Sequence, residues 1–267
     1  VAYHLVRIRR DVVEEQLRFA FPERDAAWVR ATAAAVYRHL GREALAMLRL
    51  AGATAEEIAA RTVTEGAEEM RRVLSRGRGA VIVTGHLGNW EIGAASLAAQ
   101  GIPIDGFAQM LANPLVNRAV ADARARLGMR VFDRRGAVAR ALRAVREGRV
   151  AGFVADQDAR RAGAFVPFFG RLASTYRGPA LVAIRAGVPL FLGVALRRPD
   201  GRYDLRVEEI ESDRSGPPEA AVLRLTAAFT ARLEAAIRRA PDQYFWLHRR
   251  WKTRPPEELG ATGHSIT

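Results

Sequence analysis

A histidine and a glutamate lie five residues apart in the segment VIVTGHLGNWEIGAA, residues 81–95. A β-branched apolar run precedes His86 and a second apolar run follows Glu91, which is typical of a strand-to-helix junction. On a continuous helix, five residues separate two side chains by roughly 140°. The pair can therefore share a site only if His86 follows a strand, LGN forms a turn, and Glu91 lies in the first helical turn.

The residues between and around this pair are suited to such a turn. Gly85 and Gly88 allow backbone conformations that other residues avoid, and Asn89 is a favourable helix N-cap. In this geometry the Glu91 carboxylate accepts a hydrogen bond from the imidazole of His86 and fixes its tautomer. The other ring nitrogen is then a base with an ordinary pKa of about 6.5, able to deprotonate a hydroxyl group or a water molecule.

The alternative interpretation is structural: a buried histidine beside a glutamate that stabilises the start of a helix. The position of the motif favours chemistry, because α/β sheets bind ligands beyond the C-terminal ends of their strands. Other catalytic patterns are missing from the sequence, including G-x-S-x-G, H-E-x-x-H, G-x-G-x-x-G and the P-loop. The chain has no cysteine, and its other histidines have no metal-ligand spacing, so no metal site is predicted.

The elements that must position the motif alternate between helix and strand from about residue 66 onwards. Helices are predicted at residues 9–20, 25–50, 66–77, 90–99, 113–128, 136–148, 178–187 and 218–239, and strands at residues 80–85, 102–109, 150–156, 188–196 and, antiparallel, 202–210. This alternation predicts an α/β fold with a mostly parallel or mixed central sheet flanked by helices. An N-terminal helical segment, residues 1–65, is expected to pack on a core at 66–256, with the membrane as a second surface for it to contact. A tail follows at 257–267, and the whole forms one structural domain.

The chain is strongly basic, with a formal net charge of +13, and Lys252 is its only lysine. Arginine binds phosphates through two hydrogen bonds, so the charge favours anionic partners such as lipid headgroups, an acidic carrier protein or nucleic acid. Residues 118–149 hold ten arginines against three acidic residues. The alternative for individual arginines is a solvated helix face. No run of about twenty apolar residues is present, so no membrane-spanning helix is predicted.

Several ordered blocks of the sequence carry a family resemblance. HLGNWE resembles the H-x-x-x-x-D/E motif of the lysophospholipid acyltransferase superfamily. FPER at residues 21–24, and the blocks at residues 113–136, 154–190 and 241–255, are similar to blocks of the bacterial lipid A biosynthesis acyltransferases. These are the lauroyl and myristoyl transferases that act on Kdo-bearing lipid A precursors. The resemblance spans roughly residues 7–256, and together the blocks are far more specific than the first motif alone.

The resemblance implies an acyltransferase fold and a role for each residue of the opening motif. His86 is the general base that takes a proton from an acceptor hydroxyl, and Glu91 stabilises the resulting imidazolium. The acceptor oxygen then attacks the thioester of an acyl carrier protein. No cofactor is implied, because the thioester is a co-substrate. The tetrahedral oxyanion needs hydrogen-bond donors, and backbone N–H groups of the turn are the candidates.

The resemblance also implies residues that bind the acceptor. Arg124 holds a phosphate or sugar group, and Asp156 orients it or pairs with an arginine. Arg134 and Asp158 are further candidates, and for each residue the alternative is a structural ion pair. The residues Gln109-Met110 replace an Arg-Pro pair that is frequent in the family. This difference leaves open an acyl-CoA-dependent enzyme acting on another glycolipid, such as a phosphoinositol mannoside.

The partners expected from this resemblance are an acyl-carrier-protein or acyl-CoA donor, an anionic glycolipid acceptor and a membrane surface. No nucleic acid is expected, because no nucleic-acid-binding motif accompanies the arginines. A catalytically inactive lipid-binding protein is the remaining alternative, and the intact His86–Glu91 pair argues against it. Expected localisation is the cytoplasmic face of the bacterial inner membrane, peripheral or through an N-terminal anchor missing from this chain. Trp246 and Trp251 are expected near the lipid interface, with a place in the core as the alternative for Trp246.

Overall fold

The computed structural model describes residues 8–50, 52–108, 118, 121–122 and 124–256. Helices are α1 Arg10–Ala20, α2 Ala26–Leu50, α3 Ala55–Arg61, α4 Ala67–Ser75, α5 Trp90–Ala99, α6 Ala137–Arg146, α7 Gly178–Ala186 and α8 Pro218–Arg239. Strands are β1 Thr62–Glu65, β2 Ala80–Thr84, β3 Ile104–Ala108, β4 Arg130–Asp133, β5 Val150–Val154, β6 Ala164–Phe168, β7 Arg171–Thr175, β8 Leu190–Arg197 and β9 Tyr203–Glu209. Residues 121, 122 and 124–126 are also helical, and the rest of the helix predicted at 113–128 lies mostly outside the described residues.

Seven strands form one mixed sheet in the order β1-β9-β8-β2-β5-β3-β4, and β6 and β7 form a separate antiparallel ribbon. Every pair in the large sheet is parallel except β8–β9. The predicted α/β class is therefore confirmed, including the antiparallel return strand. The C-terminal ends of β2, β3, β4, β5 and β8 meet at one edge, which we call the carboxyl edge, and this is where such sheets bind ligands.

Alternation along β2 explains why helices cover both faces of the sheet. Val81 and Val83 point into the larger hydrophobic core, which includes residues of α1, α2, α6, α7 and α8. Ala80 and Ile82 point the opposite way, into a second core that includes residues of α4 and α5. Successive strand residues face opposite sides, so a strand that is buried on both sides has to be apolar throughout.

The N-terminal segment was expected to be helical up to residue 65, and this boundary is wrong. Residues Thr62–Glu65 form β1, which pairs in parallel with β9 from Tyr203 to Arg206. The sequence TVTE is rich in β-branched residues, which favour strands. The preceding helix α3 begins at a capping box made by Thr54 and Glu57 and ends at Arg61, directly before the strand.

Among the described residues, no helix is long and apolar enough to cross a bilayer.

A buried glutamate connects the N-terminal helices to the carboxyl edge. Glu43 of α2 accepts hydrogen bonds from Asn89 Nδ2 at 2.7 Å and from the Tyr203 hydroxyl at 2.8 Å, and Arg197 lies 3.4 Å away. Burial, followed by the contact with Glu43, raises the pKa of Tyr203 to about 12. Because Asn89 starts α5, Glu43 fixes α2 against the turn that carries His86.

The turn before α5 yields a stability prediction. Gly88 has φ +60°, and an added Cβ would lie 1.9 Å from the carbonyl oxygen of Ala195, which also accepts the Asn89 N–H at 2.9 Å. At the other end of α5, Gly101 has φ +81° and open space around a Cβ. We expect Gly101→Ala to lower the free energy of unfolding by roughly 1–2 kcal/mol through backbone strain alone. Gly88→Ala should cost at least ~2 kcal/mol more, since the neighbouring backbone must move.

Urea unfolding of both variants measures the difference. Equal losses for Gly88→Ala and Gly101→Ala would show that the packing of the turn against β8 does not constrain it.

Candidate active site

The strand–turn–helix arrangement predicted around His86 is confirmed. β2 ends at Thr84, and α5 begins after Asn89, whose side-chain oxygen caps the helix by accepting the Ile92 N–H at 2.9 Å. The turn is held from outside as well, because the Phe245 N–H donates to the His86 carbonyl at 2.9 Å. His86 is thereby placed at the carboxyl edge, directly beyond a central strand.

The partner of the His86 imidazole is Asp156. His86 Nδ1 lies 2.7 Å from Asp156 Oδ1, and the His86 backbone N–H donates to Asp156 Oδ2 at 2.8 Å. A carboxylate only accepts hydrogen bonds, so Nδ1 carries the proton and Nε2 is left as the base. Nε2 has no hydrogen-bond partner among the residues that the structure describes, and the His86 side chain is 21% exposed. The base is therefore reachable by a substrate.

This geometry corrects the predicted contact between His86 and Glu91. Strand β5 is the direct neighbour of β2, with Val154 opposite Thr84. Asp156 follows β5 just as His86 follows β2, so the two side chains meet at the carboxyl edge. A Cβ on Gly85 would lie 3.2 Å from Asp156 Cβ, so the glycine lets the two loops approach each other. The predicted role of Asp156 as an acceptor-orienting group is replaced by this contact with the histidine.

Opposing effects set the pKa values of the dyad. Burial lowers the pKa of His86, but the charge of Asp156 and the hydrogen bond to it raise the pKa more, so that it lies above the ordinary 6.5. Burial raises the pKa of Asp156, which is only 4% exposed, but the hydrogen bonds and charge of His86, with the charge of Arg250, bring its pKa below the ordinary value. Asp156 is thus a buried anion that favours the imidazolium form of His86.

Two residues from the C-terminal segment interact electrostatically with Asp156, and the sequence did not point to either. Burial, followed by the Asp156 charge, raises the pKa of Tyr244 well above its usual value, so the phenol stays neutral. Arg250 is buried as well and donates to the Ser174 carbonyl at 2.6 Å and to Thr175 Oγ1 at 2.5 Å. Its charge compensates part of the Asp156 charge.

Glu91 has a different partner, Arg124. The Arg124 Nε donates to Glu91 Oε2 at 3.0 Å, and Arg124 Nη2 donates to Glu91 Oε1. Both side chains are largely buried. A guanidinium has five N–H groups in a planar fork, so this two-point contact leaves donors available for a ligand. The sequence placed both residues at the site, and the structure joins them to each other.

The two further candidates differ in their surroundings. Arg134 is exposed, directly after β4 at the carboxyl edge, and has no ion pair with a described residue. Asp158 is buried, its backbone N–H donates to His248 Nε2 at 2.8 Å, and its Oδ2 accepts from Thr253 Oγ1 at 2.9 Å. Asp158 therefore fixes the C-terminal segment beside the dyad. Gln109 and Met110 lie outside the described residues.

Most backbone donors of the turn are already used by the protein. The N–H groups of His86, Gly88 and Asn89 donate to Asp156 Oδ2, the Gln243 carbonyl and the Ala195 carbonyl. The expectation that the turn amides provide an oxyanion hole is therefore wrong for these three groups. Their hydrogen bonds instead hold the turn rigid.

Of the two tryptophans expected near a lipid interface, Trp246 is part of the protein core and Trp251 packs against it. Trp246 is buried and donates its indole N–H to the Pro241 carbonyl at 2.7 Å. Trp251 is half-buried, and its ring lies 4.7 Å from that of Phe19 and 5.6 Å from that of Phe168. The alternative interpretation of Trp246 as a core residue is therefore correct.

An apolar cavity of about 130 Å³ lies between the sheet and α5, beside the dyad. Its walls come from six strands of the sheet, from α5 and from the segment between β3 and β4. One third of its lining residues are glycine or alanine, namely Gly93, Ala94, Gly106, Gly152, Gly193 and Ala195. Its polar end carries Glu91, Arg124 and Trp90, and the ring centroid of Trp90 lies 4.6 Å from that of His86.

This arrangement suits a reaction between a hydroxyl group and an acyl group that carries an apolar chain. The dyad provides a base, the Glu91–Arg124 pair provides a fixed cation, and the cavity provides an apolar surface. Among the described residues, no group of three or more acidic or histidine side chains is placed to hold a metal ion.

Comparison with known proteins agrees with this chemistry. The family described as bacterial lipid A biosynthesis acyltransferase matches residues 1–253. The lipid A biosynthesis lauroyltransferase of Escherichia coli (strain K12) is 30% identical over 259 residues, 96% of this chain and 83% of that protein. The palmitoleoyltransferase of the same organism is 28% identical over 201 residues, 73% and 62% of the two chains. A phosphatidylinositol mannoside acyltransferase of Mycolicibacterium smegmatis is 29% identical over 182 residues, 67% and 58%.

The family match covers nearly the whole chain, and the relatives named above are all acyltransferases. The chain therefore belongs to the bacterial lipid A biosynthesis acyltransferase family and is an enzyme that transfers acyl groups.

Proposed function

We propose that this enzyme transfers a fatty acyl chain from an acyl carrier protein thioester to a hydroxyl group of a lipid A precursor. The observation that carries the proposal is the His86–Asp156 dyad beside an apolar cavity that Trp90 and Arg124 line, with the Trp90 ring packed on the His86 ring. The family and the similarity to the lauroyltransferase support the acceptor.

In this mechanism His86 is the general base and Asp156 its positioning partner. His86 Nε2 removes the proton from the acceptor hydroxyl, and the oxygen attacks the thioester carbonyl. The tetrahedral intermediate collapses as the C–S bond breaks, and the leaving thiolate takes the proton back from the imidazolium. Asp156 stabilises the imidazolium while it exists, since the carboxylate is already aligned with Nδ1.

Arg124 binds the acceptor, and Glu91 positions Arg124. The acceptor is a phosphorylated glycolipid, and arginine binds phosphate through its planar fork. With Nε and Nη2 engaged by Glu91, the remaining N–H groups of Arg124 face the ligand. This assignment gives Glu91 a role in substrate binding rather than in orienting the histidine.

The acyl chain lies in the apolar cavity, and the carrier protein docks at the carboxyl edge. Exposed arginines follow two strands there, Arg134 and Arg135 after β4 and Arg160 and Arg161 after β5. None of them has an ion pair with a described residue, so their charge is available to an acidic protein. An acyl-CoA donor carries the same thioester and is the alternative.

A second candidate is an acyl-CoA-dependent transferase acting on a phosphoinositol mannoside. The similarity to the Mycolicibacterium smegmatis enzyme favours it. Both candidates share the dyad, the cavity and the arginine, so they differ in donor and acceptor rather than in chemistry.

The C-terminal half of α2 is the surface that contacts the membrane in this proposal. Leu45 and Leu48 are 60% and 75% exposed, although both are large apolar side chains. Arg42 and Arg49 flank them without an ion pair to any described residue, and the one acidic residue of α2, Glu43, is buried. Glu43 binds Asn89, so this surface lies beside the active-site turn. An anionic lipid surface complements both the arginines and the leucines.

Vesicle binding tests this surface. We expect wild type to bind vesicles that contain phosphatidylglycerol, and the double variant Leu45→Ser/Leu48→Ser to bind them at least about tenfold more weakly, since each leucine loses its apolar burial. Leu223→Ser is the matched control, because Leu223 is also exposed (47%) but lies at the start of α8, away from the carboxyl edge. Equal binding of wild type and the double variant in a flotation assay would refute the assignment.

Acyl transfer tests the proposed reaction. Wild type is incubated with lauroyl-carrier protein or lauroyl-CoA and with a Kdo-bearing lipid A precursor or a phosphoinositol mannoside. We expect a more acylated lipid A product from the carrier protein donor. His86→Ala should lower kcat by about 10²- to 10⁴-fold, because the base is lost. Mass spectrometry of the lipids reads the product.

Thermal melts of His86→Ala serve as the folding control. If product forms only from lauroyl-CoA and the phosphoinositol mannoside, the second candidate is correct and the main proposal is wrong. Activity that is unaffected by His86→Ala would exclude the mechanism for either acceptor.

A further inference from the structure

A row of the sheet beneath the cavity lacks side chains at two neighbouring positions. Gly152 of β5 is in register with Ile82 of β2 and with Gly106 of β3, and Gly106 is in register with Val131 of β4. Paired residues of parallel strands point to the same face of a sheet. Two adjacent glycines therefore form the floor of the cavity, between the side chains of Ile82 and Val131.

The space above these two glycines is open. A Cβ on Gly152 would lie 3.5 Å from Ile104 Cγ2 and 3.6 Å from Ile82 Cγ2, and a Cβ on Gly106 would lie 3.8 Å from Val131 Cγ2. These are ordinary van der Waals distances. A Cβ on Gly193, another strand glycine of the lining, would lie only 2.7 Å from Ile82 Cδ1. Gly193 thus accommodates Ile82, whereas Gly152 and Gly106 leave room for a ligand.

The glycine row lies deep in the cavity relative to the dyad. Thr84 lines the cavity two residues before His86, and Ile82 lies two residues deeper, about 6.6 Å further along the strand. In the next row down, Ile104 of β3 pairs with Val150 of β5, and the side chains of both are buried. The glycine row is therefore the last open row before buried apolar side chains close the deep end of the cavity.

On the basis of the proposed function, we propose that Gly152 and Gly106 set the length of the acyl chain that this enzyme transfers. The end of the chain opposite the thioester lies over these two residues. Any larger residue there shortens the space, and the favoured substrate becomes a thioester with a shorter chain.

Substitutions that fill the row test the proposal. Wild type, Gly152→Ala and Gly152→Val are assayed with saturated carrier-protein thioesters from decanoyl to palmitoyl. We expect kcat/KM for the longest chain used by wild type to fall about 10- to 200-fold for each methylene that no longer fits. For shorter chains it should stay near the wild-type value, so the optimum moves to shorter chains, further for Val than for Ala.

Gly41→Ala is the matched control, since Gly41 lies in α2 with no atom within 4 Å of an added Cβ. It should leave the chain-length optimum unchanged. Thermal melts confirm folding, and if Gly152→Val does not fold, Gly152→Ala and Gly106→Ala provide the test.

Displacement of a fluorescent fatty acid by fatty acids of the same lengths provides a readout without transfer. A shift in binding preference toward shorter chains in Gly152→Val supports the proposal, whether or not wild type transfers an acyl group. Absence of transfer by wild type would refute only the proposed reaction. A folded Gly152→Val variant with an unchanged chain-length preference, or with equal losses at all lengths, would overturn the proposal.

Discussion

The contact between the buried Asp156 carboxylate and His86 is the interaction on which the proposed active site depends. Removing an anion from water costs free energy, and the group stays ionised only where hydrogen bonds and opposite charge compensate. Here His86 supplies both a backbone and a side-chain hydrogen bond, and Arg250 supplies a charge. The adjacency of β2 and β5 and the missing side chain of Gly85 are the structural conditions for this contact. The imidazole is held in one tautomer before any substrate arrives.

The two acidic residues near the histidine have different partners because they lie on different elements. Asp156 follows a strand and meets His86 at the carboxyl edge, whereas Glu91 belongs to α5 and contacts Arg124 beside the cavity. On the face of the sheet that holds α5, glycine and alanine occupy several lining positions, and this leaves a cavity where large side chains would otherwise pack. Such a cavity lowers stability, since its walls lose dispersion contacts. The opposite face is densely packed and supports the fold.

Local sequence patterns predicted most of the fold and the membership of the site, but not its pairings. The strand before His86, the Asn89 cap and the α5 boundaries follow from apolar periodicity and capping chemistry. The choice of Asp156 over Glu91 as the partner of His86 depends on which strands are neighbours, a long-range property that no local pattern contains. Arg250 was missed for a similar reason: in WLHRRWKTR it resembles a solvated charge, and its burial arises only when that segment packs against β7 and the dyad.

The pH dependence of kcat/KM in two carboxylate variants distinguishes Asp156 from Glu91 as the partner of His86, since this ratio reports the pKa of the free enzyme's base. In wild type the activity should rise with pH through a midpoint above 6.5, because the Asp156 charge raises the pKa of His86. Asp156→Asn, checked for folding by its thermal melt, should move that midpoint to lower pH and reduce kcat. Glu91→Gln should keep the midpoint and raise KM for the acceptor. A midpoint that moves in Glu91→Gln and stays in Asp156→Asn would show that Glu91, and not Asp156, sets the pKa of His86.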